Sequence, residues 1–543
     1  MQTFSMRCGW ALGLALGFSF ARADRVLLVP LDSRPASGQF AQMIGRVGDV
    51  DVVMPPPDLL GRFTTPGLPD EVLDWLDRQD LSDVTAVVAS ADMVAYGGLI
   101  ASRTPGVTRE SASKRLRRLA LIVQRAPNAK LYVYSATMRL APTATRRAAD
   151  WRLTLARYVE LRERAQRAGD ATLQPVLKKL LTGVPPGELN RYMNVRARDH
   201  RVQLDLMEMV ADGRIDTLVC GQDDAKPFGP HIPETVQLQR FAAHRGLSYK
   251  VRFCEGIDQL PNVLLSRALL AHVGWTPLIR PVYADPSAAG RVADFESKPI
   301  SESLLGQIEA SGARIAGPNE KPDYTLFINT PGSTDGQVQG LIAGLESESQ
   351  PTAVADINLA PSGASDPRLV DALERDARTM DLVSFAGWNT AGNTLGTTIP
   401  AANVYLMARQ ADKDPVQREV ARRAFLLHRF VNDYAYHRFT RPQAYQLLSI
   451  LPGASREETY GTSLAQVDDF VKRDLGRQLN ETFRTQLFGR KFEAGGAEYV
   501  FTGINDVRIS LPWPRAYEVR MEFNLETKPS DASNALLPLI AIA

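Results

Sequence analysis

The sequence predicts an α/β protein with two doubly wound parallel-sheet lobes and a small C-terminal α+β module. Ten short apolar runs alternate with amphipathic helical segments, which indicates parallel strands joined by right-handed crossovers. The runs are continuously apolar, as expected for strands buried on both faces. They outnumber the strands of one eight-stranded barrel, although a β/α barrel with additions is the alternative fold. The predicted strands are residues 26–31, 51–54, 86–90, 131–135, 217–220, 249–253, 278–282, 324–328, 353–357 and 382–385.

The order of these patterns divides the chain into two lobes. We expect residues 24–275 to form the first lobe and residues 276–410 to form the second. A helical insertion at 141–211 should cover the first lobe, with a break at Pro185-Pro186-Gly187. Amphipathic patterns also predict helices at 111–124 and 367–378, the second with Asp366 as its N-cap.

The remaining part, residues 411–543, has a different pattern. Apolar residues at helical spacing predict an amphipathic helix over 463–479. Alternation of apolar and polar residues, which is typical of half-buried antiparallel strands, occurs at 517–525. The same alternation places Val507, Ile509 and Leu511 on one face, just before Trp513. These patterns predict the small α+β module.

The N-terminus has the pattern of a cleavable signal peptide over residues 1–23. Arg7 precedes the apolar run 9–20, and Ala21-Arg22-Ala23 fits the small-x-small cleavage pattern. The run is shorter than the roughly 20 residues that span a bilayer. We therefore expect an exported protein, periplasmic or secreted, with no membrane attachment after cleavage. Cys220 and Cys254 would then remain, either as one disulfide or as two small buried residues.

Composition excludes several partners and chemistries. The net charge is +2, from 63 basic and 61 acidic residues, so neither nucleic acid nor an anionic membrane is expected as a partner. Six histidines and no ligand-spaced His/Cys cluster make zinc an unsuitable metal. The chain also lacks the sequence signatures of α/β-hydrolase esterases, P-loop nucleotide hydrolases and dinucleotide-binding enzymes.

Ionisable and polar residues gather where strands of the first lobe end. Ligands of parallel α/β sheets bind beyond the carboxyl ends of the strands, so these positions are the candidate site. An isolated Asp at such a position often only caps the next helix, but five strand ends carry ionisable groups together. The candidates are Asp32, Arg34, Asp92, Tyr96, Arg103, Arg139, Gln222, Asp223, Asp224, His231 and Asp258.

The Asp223-Asp224 pair is the sharpest of these features. Two neighbouring carboxylates repel each other, so one tends to keep its proton at neutral pH. The pair would supply an acid and a base side by side, as glycosyl hydrolysis requires. In glycosidases that use the substrate's acetamido group, one carboxylate polarises that group and the other protonates the leaving oxygen. Alternatively, successive strand residues face opposite ways, and one Asp would cap a helix.

A metal ion is a further alternative for the same carboxylates. Asp32, Asp92, Asp223 and Asp224 could together bind Mg²⁺ or Ca²⁺, which prefer oxygen ligands. Our expectation is nevertheless a site without a cofactor, in which Asp92 joins the Asp223-Asp224 pair as a catalytic residue.

The second lobe contributes a segment that suits carbohydrate. Trp388, Asn389 and Asn393 follow its last strand. An aromatic ring can stack on the apolar face of a sugar while amides bind hydroxyl groups. The alternative is a Gly/Asn-rich turn that holds a buried Trp.

An ordered set of segments between about residues 26 and 400 resembles a bacterial family catalogued as domain of unknown function forty-one twenty-seven. The family has no activity to transfer, so the resemblance implies only the fold boundaries and the choice of motifs. The chain departs from the family at 256–259, where it has Gly-Ile-Asp-Gln instead of Gly-Ala-Asp-Glu. The matching segments are 30–35, 92–93, 96–99, 102–103, 221–224, 229, 256–258, 387–390, 393 and 395–396.

These observations favour an exported hydrolase of glycosidic bonds, acting on an amino-sugar-containing glycan. Asp92, Asp223 and Asp224 are the predicted catalytic residues, and the other candidates would bind substrate. Two alternatives are kept: a metal-dependent phosphoesterase-like hydrolase, and a non-catalytic bilobal carbohydrate-binding protein.

Overall fold

A computed structural model describes residues 24–148, 150–375, 378–411 and 413–530. Within it, the two predicted parallel sheets are present as separate open sheets, so the two-lobed fold is confirmed over the barrel alternative. The signal peptide predicted at residues 1–23 lies outside the described residues.

The first sheet has six parallel strands in the order β2-β1-β3-β4-β5-β6. Alternate residues of β1 face opposite sides, where Leu27 and Val29 contact one core and Val26 and Leu28 contact another. Both faces are therefore apolar, which explains the continuous runs in the sequence. The strands are β1 (Asp24–Val29), β2 (Val50–Val53), β3 (Val84–Ser90), β4 (Lys130–Thr137), β5 (Thr217–Gln222) and β6 (Val251–Glu255).

The second sheet has five parallel strands in the order β11-β10-β9-β7-β8. All ten predicted strands are present in the two sheets, and the two-residue strand β8 is an addition that the apolar pattern did not indicate. The strands are β7 (Leu278–Tyr283), β8 (Arg314–Ile315), β9 (Tyr324–Asn329), β10 (Thr352–Asp356) and β11 (Ser384–Ala386).

Helices cover the outer faces of both sheets and fill the space between them. The predicted helix at 111–124 is present as α5, which Thr108 caps by accepting the N–H of Ser111 at 3.2 Å. Asp366 accepts the N–H of Arg368 at 3.0 Å, as expected of an N-cap of α13. The helices of the two lobes are α1 (Gln39–Val47), α2 (Pro69–Asp77), α3 (Ala91–Tyr96), α4 (Leu99–Ser102), α5 (Arg109–Val123), α6 (Arg152–Ala168), α7 (Gln174–Thr182), α8 (Glu188–Ala211), α9 (His231–His244), α10 (Leu260–Val273), α11 (Ile300–Ala310), α12 (Asp335–Ser347), α13 (Pro367–Arg375) and α14 (Ala391–Gln410).

The predicted insertion forms α6, α7 and α8. Gly187 adopts a left-handed φ of 85° directly before α8, so the Pro185-Pro186-Gly187 segment separates α7 from α8 as expected. Helices α10 and α14 lie in the central layer, where their apolar residues share one core with Leu28 of the first sheet and Leu326 of the second. Helix α14 is buried on nearly every side, as expected for a helix between two sheets.

The C-terminal part packs against the outer face of the second sheet. There Phe327 and Phe385 share a core with Leu475 of α17 and Phe501 of the third sheet. This antiparallel sheet has the order β12-β13-β14. Its elements are α15 (Pro415–Arg429), a π-helical segment (Phe430–Thr440), α16 (Arg441–Ile450), α17 (Gly461–Gln486), β12 (Lys491–Ala494), β13 (Ala497–Ser510) and β14 (Arg520–Pro529).

One expectation about β13 is wrong. Val507 is exposed, because the pairing of β13 with β14 changes register between Asn505 and Arg508. Of the two alternatives for the cysteines, the structure supports two small buried residues, since Cys220 and Cys254 are both free and buried. Cys220 pairs with Phe253 and not with Cys254 across β5 and β6, so the two thiols face opposite sides of the sheet.

No helix in the described part of the chain combines the length and apolar character needed to cross a membrane.

Candidate functional site

The carboxyl ends of both sheets open into one cleft of about 770 Å³. The first sheet lines it with connections that follow β1, β3, β4, β5 and β6. The second sheet contributes the connections after β7, β9, β10 and β11, and the C-terminal part adds residues between 437 and 457 and between 513 and 517. The cleft is therefore at the position where parallel α/β sheets bind ligands, and its volume suits a small ligand.

Arginine dominates the charge of this cleft. Seven arginines line it, against four aspartates and one glutamate. Because guanidinium groups form paired hydrogen bonds with carboxylates, much of this charge is organised as Arg–Asp pairs on the floor. The charged residues are Arg34, Arg103, Arg139, Arg152, Arg441, Arg456, Arg515, Asp223, Asp224, Asp258, Asp294 and Glu457.

Asp223 and Asp224 both line the cleft, directly after β5. The chain leaves the extended conformation there, so the alternation of a strand no longer sends the two side chains to opposite faces. The N–H of Asp223 donates to the Thr137 carbonyl oxygen at 3.1 Å, which fixes the end of β5 against the end of β4. The N–H of Asp224 donates to Oδ1 of Asp223 at 2.9 Å.

Each carboxylate of this pair contacts its own arginine. Arg103 donates to Asp223, and Arg139 donates to Asp224. The Asp223 side chain is 8% exposed and the Asp224 side chain 26%, so Asp224 is the more accessible to a ligand. In both arginines, the buried Nε has no hydrogen-bond partner among the described residues.

The two carboxyl groups differ in their affinity for a proton. Burial raises the pKa of Asp223, but the nearby charges of Arg103 and Arg139 outweigh burial and hold this pKa below its usual value. Burial raises the pKa of Asp224, and the charge of Asp223 raises it further, so this pKa lies above its usual value although Arg139 opposes the shift. The pair thus has one carboxyl group that favours ionisation and a neighbour that favours the protonated form.

Arg34 joins the ends of β1 and β6. It donates to Asp32 and to Asp258, with a shortest distance of 2.7 Å to each. Asp32 lies behind Arg34 and also accepts the hydroxyl of Ser37 at 2.9 Å, whereas Asp258 lines the cleft. The Arg34 guanidinium lies 4.9 Å from the ring centroid of Trp513, a cation–π contact with the C-terminal part.

Asp92 and Tyr96 lie beneath the cleft and do not line it. Asp92 is in the first turn of α3 and accepts the N–H of Ala136 at 2.9 Å, which connects α3 to β4. Burial raises the pKa of Asp92 to about 6. Tyr96 is the last residue of α3, and the guanidinium of Arg198 lies over its ring, 4.4 Å from the centroid. Both side chains therefore support the wall from behind.

Gln222 and His231 also lie outside the cleft. Gln222 donates to the carbonyl oxygen of Asp223 at 2.7 Å and lines a separate cavity of about 110 Å³ beside Cys220. His231 begins α9, with Nε2 2.9 Å from the carbonyl oxygen of Lys226. Burial lowers the pKa of His231 to about 3, so the ring is neutral at physiological pH.

The segment after β11 divides between the cleft and the core. Asn389 lines the cleft with a left-handed φ of 59° and accepts the hydroxyl of Tyr517 at 2.8 Å. The Trp388 ring is buried, packs against Phe40 at 5.5 Å between centroids and borders only a small side cavity of about 50 Å³. Asn393 is buried in the first turn of α14.

The buried Asn393 amide contacts the position where the chain departs from the resembled family. Its Nδ2 donates to Oε1 of Gln259 at 2.7 Å, and Gln259 in turn donates to the carbonyl oxygen of Glu255 at 2.7 Å. These two amides connect α14 to the end of β6, away from the cleft wall. A glutamate at position 259 would lack the N–H that the Glu255 carbonyl accepts.

Prediction from the sequence missed the whole C-terminal contribution. Trp513 and Tyr517 line the cleft, together with Arg441, Arg456 and Arg515. The sequence pattern placed Tyr517 at the start of a strand over 517–525, but β14 begins only at Arg520, so Tyr517 lies in the preceding connection. Arg152 was also missed because it lies inside the helical insertion.

The four carboxylates considered for Mg²⁺ or Ca²⁺ do not share one face. Asp223 and Asp224 line the cleft, whereas Asp32 contacts Arg34 and Ser37, and Asp92 contacts the Ala136 N–H. Among the described residues, no group of three or more His, Cys, Asp or Glu is arranged to hold a metal ion. Asp223 and Asp224 are the two candidates that a cation in the cleft would contact.

Comparison with known proteins identifies the family. The model of the family described as "Protein of unknown function (DUF4127)" matches residues 26–522, so the chain belongs to this family and the resemblance seen in the sequence is confirmed. No curated protein matches the chain. One similar solved structure is the Ca. Korarchaeum cryptofilum dinucleotide forming acetyl-coenzyme A synthetase 1 in its apo form, at 10% identity and a TM-score of 0.14, covering 75% of this chain and 97% of that chain.

Proposed function

We propose that this member of the DUF4127 family is an exported hydrolase that cleaves glycosidic bonds of an amino-sugar-containing glycan. The observation that carries the proposal is the Asp223–Asp224 pair on the cleft floor, with one carboxyl group favouring ionisation and its neighbour favouring a proton. Glycosidic cleavage needs both states. The protonated group gives its proton to the leaving oxygen, and the ionised group stabilises the positive charge that develops on the sugar.

Each residue of the pair has a distinct role in this proposal. Asp224 donates its proton to the leaving oxygen, since its pKa is raised and its side chain is the more exposed. Asp223 stays ionised and accepts the N–H of the substrate's acetamido group. This orients the acetamido carbonyl oxygen toward the anomeric carbon.

The reaction then proceeds in two steps. The acetamido oxygen forms a bond to the anomeric carbon as the glycosidic bond breaks, and the leaving oxygen takes the proton of Asp224. A water molecule then attacks the anomeric carbon and gives a proton to the Asp224 carboxylate, which restores the acetamido group and the acid. The two arginines keep the carboxyl groups in place, and Arg103 in particular favours the ionised form of Asp223.

The proposed acid gives a defined pH dependence. Activity should fall as pH rises through the raised pKa of Asp224, because the proton for the leaving group is then lost. Arg139 lowers this pKa by its charge. In the variant Arg139→Met the alkaline limb of the kcat/KM profile should therefore move to higher pH.

A hydrolysis screen tests the proposal. The protein lacking residues 1–23 is incubated with chromogenic N-acetylhexosaminides, other glycosides and phosphoesters, each with and without a chelator. Asp224→Asn is expected to lose turnover of the N-acetylhexosaminide, while its melting temperature stays nearly unchanged. Arg240→Met, a change at an exposed side chain of α9, is the matched control and should retain full activity.

Other outcomes select the alternatives. Phosphoester turnover that a chelator abolishes would replace the proposal with a metal-dependent phosphoesterase. Sugar binding without any turnover would favour a bilobal carbohydrate-binding protein, an alternative that has support because both sheets contribute walls to one cleft.

A further inference from the structure

The corner of the cleft nearest the C-terminal part has positive charge that no carboxylate neutralises directly. Arg152, Arg441 and Arg456 line the cleft, and no ion pair joins any of them to a carboxylate of the described residues. This separates them from Arg34, Arg103 and Arg139, whose guanidinium groups each contact an aspartate. Arg441 and Arg456 lie over the same Tyr445 ring, 5.8 and 5.1 Å from its centroid, and Glu457, next to Arg456, is within electrostatic reach of Arg152. We call the three arginines the arginine corner.

Arg441 is the most buried member, at 6% exposure. Its guanidinium donates to the carbonyl oxygens of Ser362 and Tyr517, and it lies 5.1 Å from the ring centroid of Tyr517. Neutral carbonyls orient this cation without cancelling its charge. An anionic ligand would stabilise a buried guanidinium that has no counter-ion, because hydrogen bonds between charged groups are stronger than those between neutral groups.

The residues around the arginine corner are also arranged as in a ligand-binding site. Arg456 lies over the Tyr445 ring, 5.1 Å from its centroid, so an aromatic side chain holds this second guanidinium. His437, at 7% exposure, lines the same cleft and has an Nδ1 without a hydrogen-bond partner in the described structure. It belongs to the π-helical segment before α16, a helix type that is frequent at functional sites.

The arginine corner is close to the acid pair. Burial lowers the pKa of Arg152, and the nearby positive charge of Arg139 lowers it further. The negative charges of Glu457 and Asp224 partly oppose this shift. Tyr517 is within electrostatic reach of both Arg441 and Asp224. Because the corner and Asp224 line the same cleft, a glycan that spans the cleft would place a negative group in the corner and its glycosidic bond at Asp224.

We propose that the cleft binds an anionic glycan whose carboxylate or phosphate group is held by Arg152, Arg441 and Arg456. Arginine is suited to this role because its planar fork matches both anions. The proposal names the substrate class for the hydrolase proposed above and rests on it for the position of the cleaved bond. The binding of the anion itself does not require turnover.

Calorimetric titration with glucuronate, glucose 6-phosphate and glucose at constant ionic strength tests this proposal separately from hydrolysis. Glucuronate or glucose 6-phosphate should bind and glucose should bind at least about tenfold more weakly, a difference of ~1.4 kcal/mol. Whichever anion binds better identifies a carboxylate or a phosphate as the natural group. Comparable binding of glucose, or no binding of either anion, would overturn the proposal whatever the hydrolysis screen shows.

Variants assign the binding to the corner. Arg456→Met, at an exposed side chain, and Arg152→Met should each weaken binding of the anion about tenfold or more. Arg441→Met should also weaken binding of the anion. If loss of this buried side chain impairs folding, the Arg152→Met and Arg456→Met variants still test the proposal. Arg240→Met on α9 is the matched control and should bind as the wild type does. Unchanged affinity in both Arg152→Met and Arg456→Met would overturn the proposal.

Discussion

Replacing Arg34 by Met should destabilise the protein strongly at neutral pH. Among the described residues, Arg34 is the one cation that pairs with Asp32 and Asp258, at 2.7 Å from each, and none of the three side chains is more than 12% exposed. The substitution would leave two buried carboxylates without their counter-ion. Breaking a buried ion pair by removal of one partner costs about 3–5 kcal/mol in free energy of unfolding, and we expect a loss in this range.

The loss should depend on pH in a defined direction. Burial already raises the pKa of Asp258, and Arg34 is the group that opposes this shift most. Without Arg34 the pKa of Asp258 should rise further, and the protonated carboxyl group no longer needs a cation. The stabilisation by Arg34 is therefore present at high pH and is lost as pH falls, so wild type and variant should differ less at about pH 5 than at about pH 7.5.

Urea unfolding followed by circular dichroism measures the difference at both pH values. The double variant Arg34→Met/Asp258→Asn should recover part of the stability, since it removes one of the orphaned charges. Arg314→Met, which removes an exposed ion pair with Glu320, is the matched control and should change stability little. A loss below about 1 kcal/mol at neutral pH, or an equal loss at both pH values, would refute the reasoning.

Three further predictions concern other buried groups. Burial and the charge of Asp366 raise the pKa of Asp356 to about 8, so stability should decline from about pH 4 to pH 8. Asp356→Asn should flatten this decline in urea titrations, and an unchanged slope would contradict the prediction. Trp513→Ala should cost about 3–5 kcal/mol in unfolding free energy, because the ring is 1% exposed, and a loss under about 1 kcal/mol would show that the site collapses around it. A thiol reagent should modify neither Cys220 nor Cys254 in the folded protein, because both are buried. In urea without reductant it should modify both, and a thiol that stays unreactive there would indicate a disulfide.

Much of the fold could be predicted because its signals are local. Strands buried on both faces need continuous apolar residues, and all ten such runs are strands in the two sheets. The cap of α13 by Asp366 depends only on neighbouring residues, so it was also predictable. The exposure of Val507 was not, because it follows from a register change that involves a distant strand.

Part of the candidate site could also be predicted from local sequence signals. Strand ends indicated the Asp223–Asp224 pair and the arginines that contact it, since the carboxyl ends of parallel strands meet at one edge. The sequence alone did not distinguish Asp258, which lines the cleft, from Asp92, which lies beneath it. That difference depends on how the connections after each strand fold over the sheet.

The sequence by itself thus determined the two parallel sheets, the family and the strand ends where ionisable groups collect. Tertiary structure decided that the two sheets point their carboxyl ends at one cleft, and that Trp513 and Arg441 complete it. It also decided which carboxyl group of the pair favours a proton. Local apolar patterns fix strands through burial of neighbouring residues, whereas the cleft and its pKa values arise from charges that lie far apart in the chain and meet only after folding.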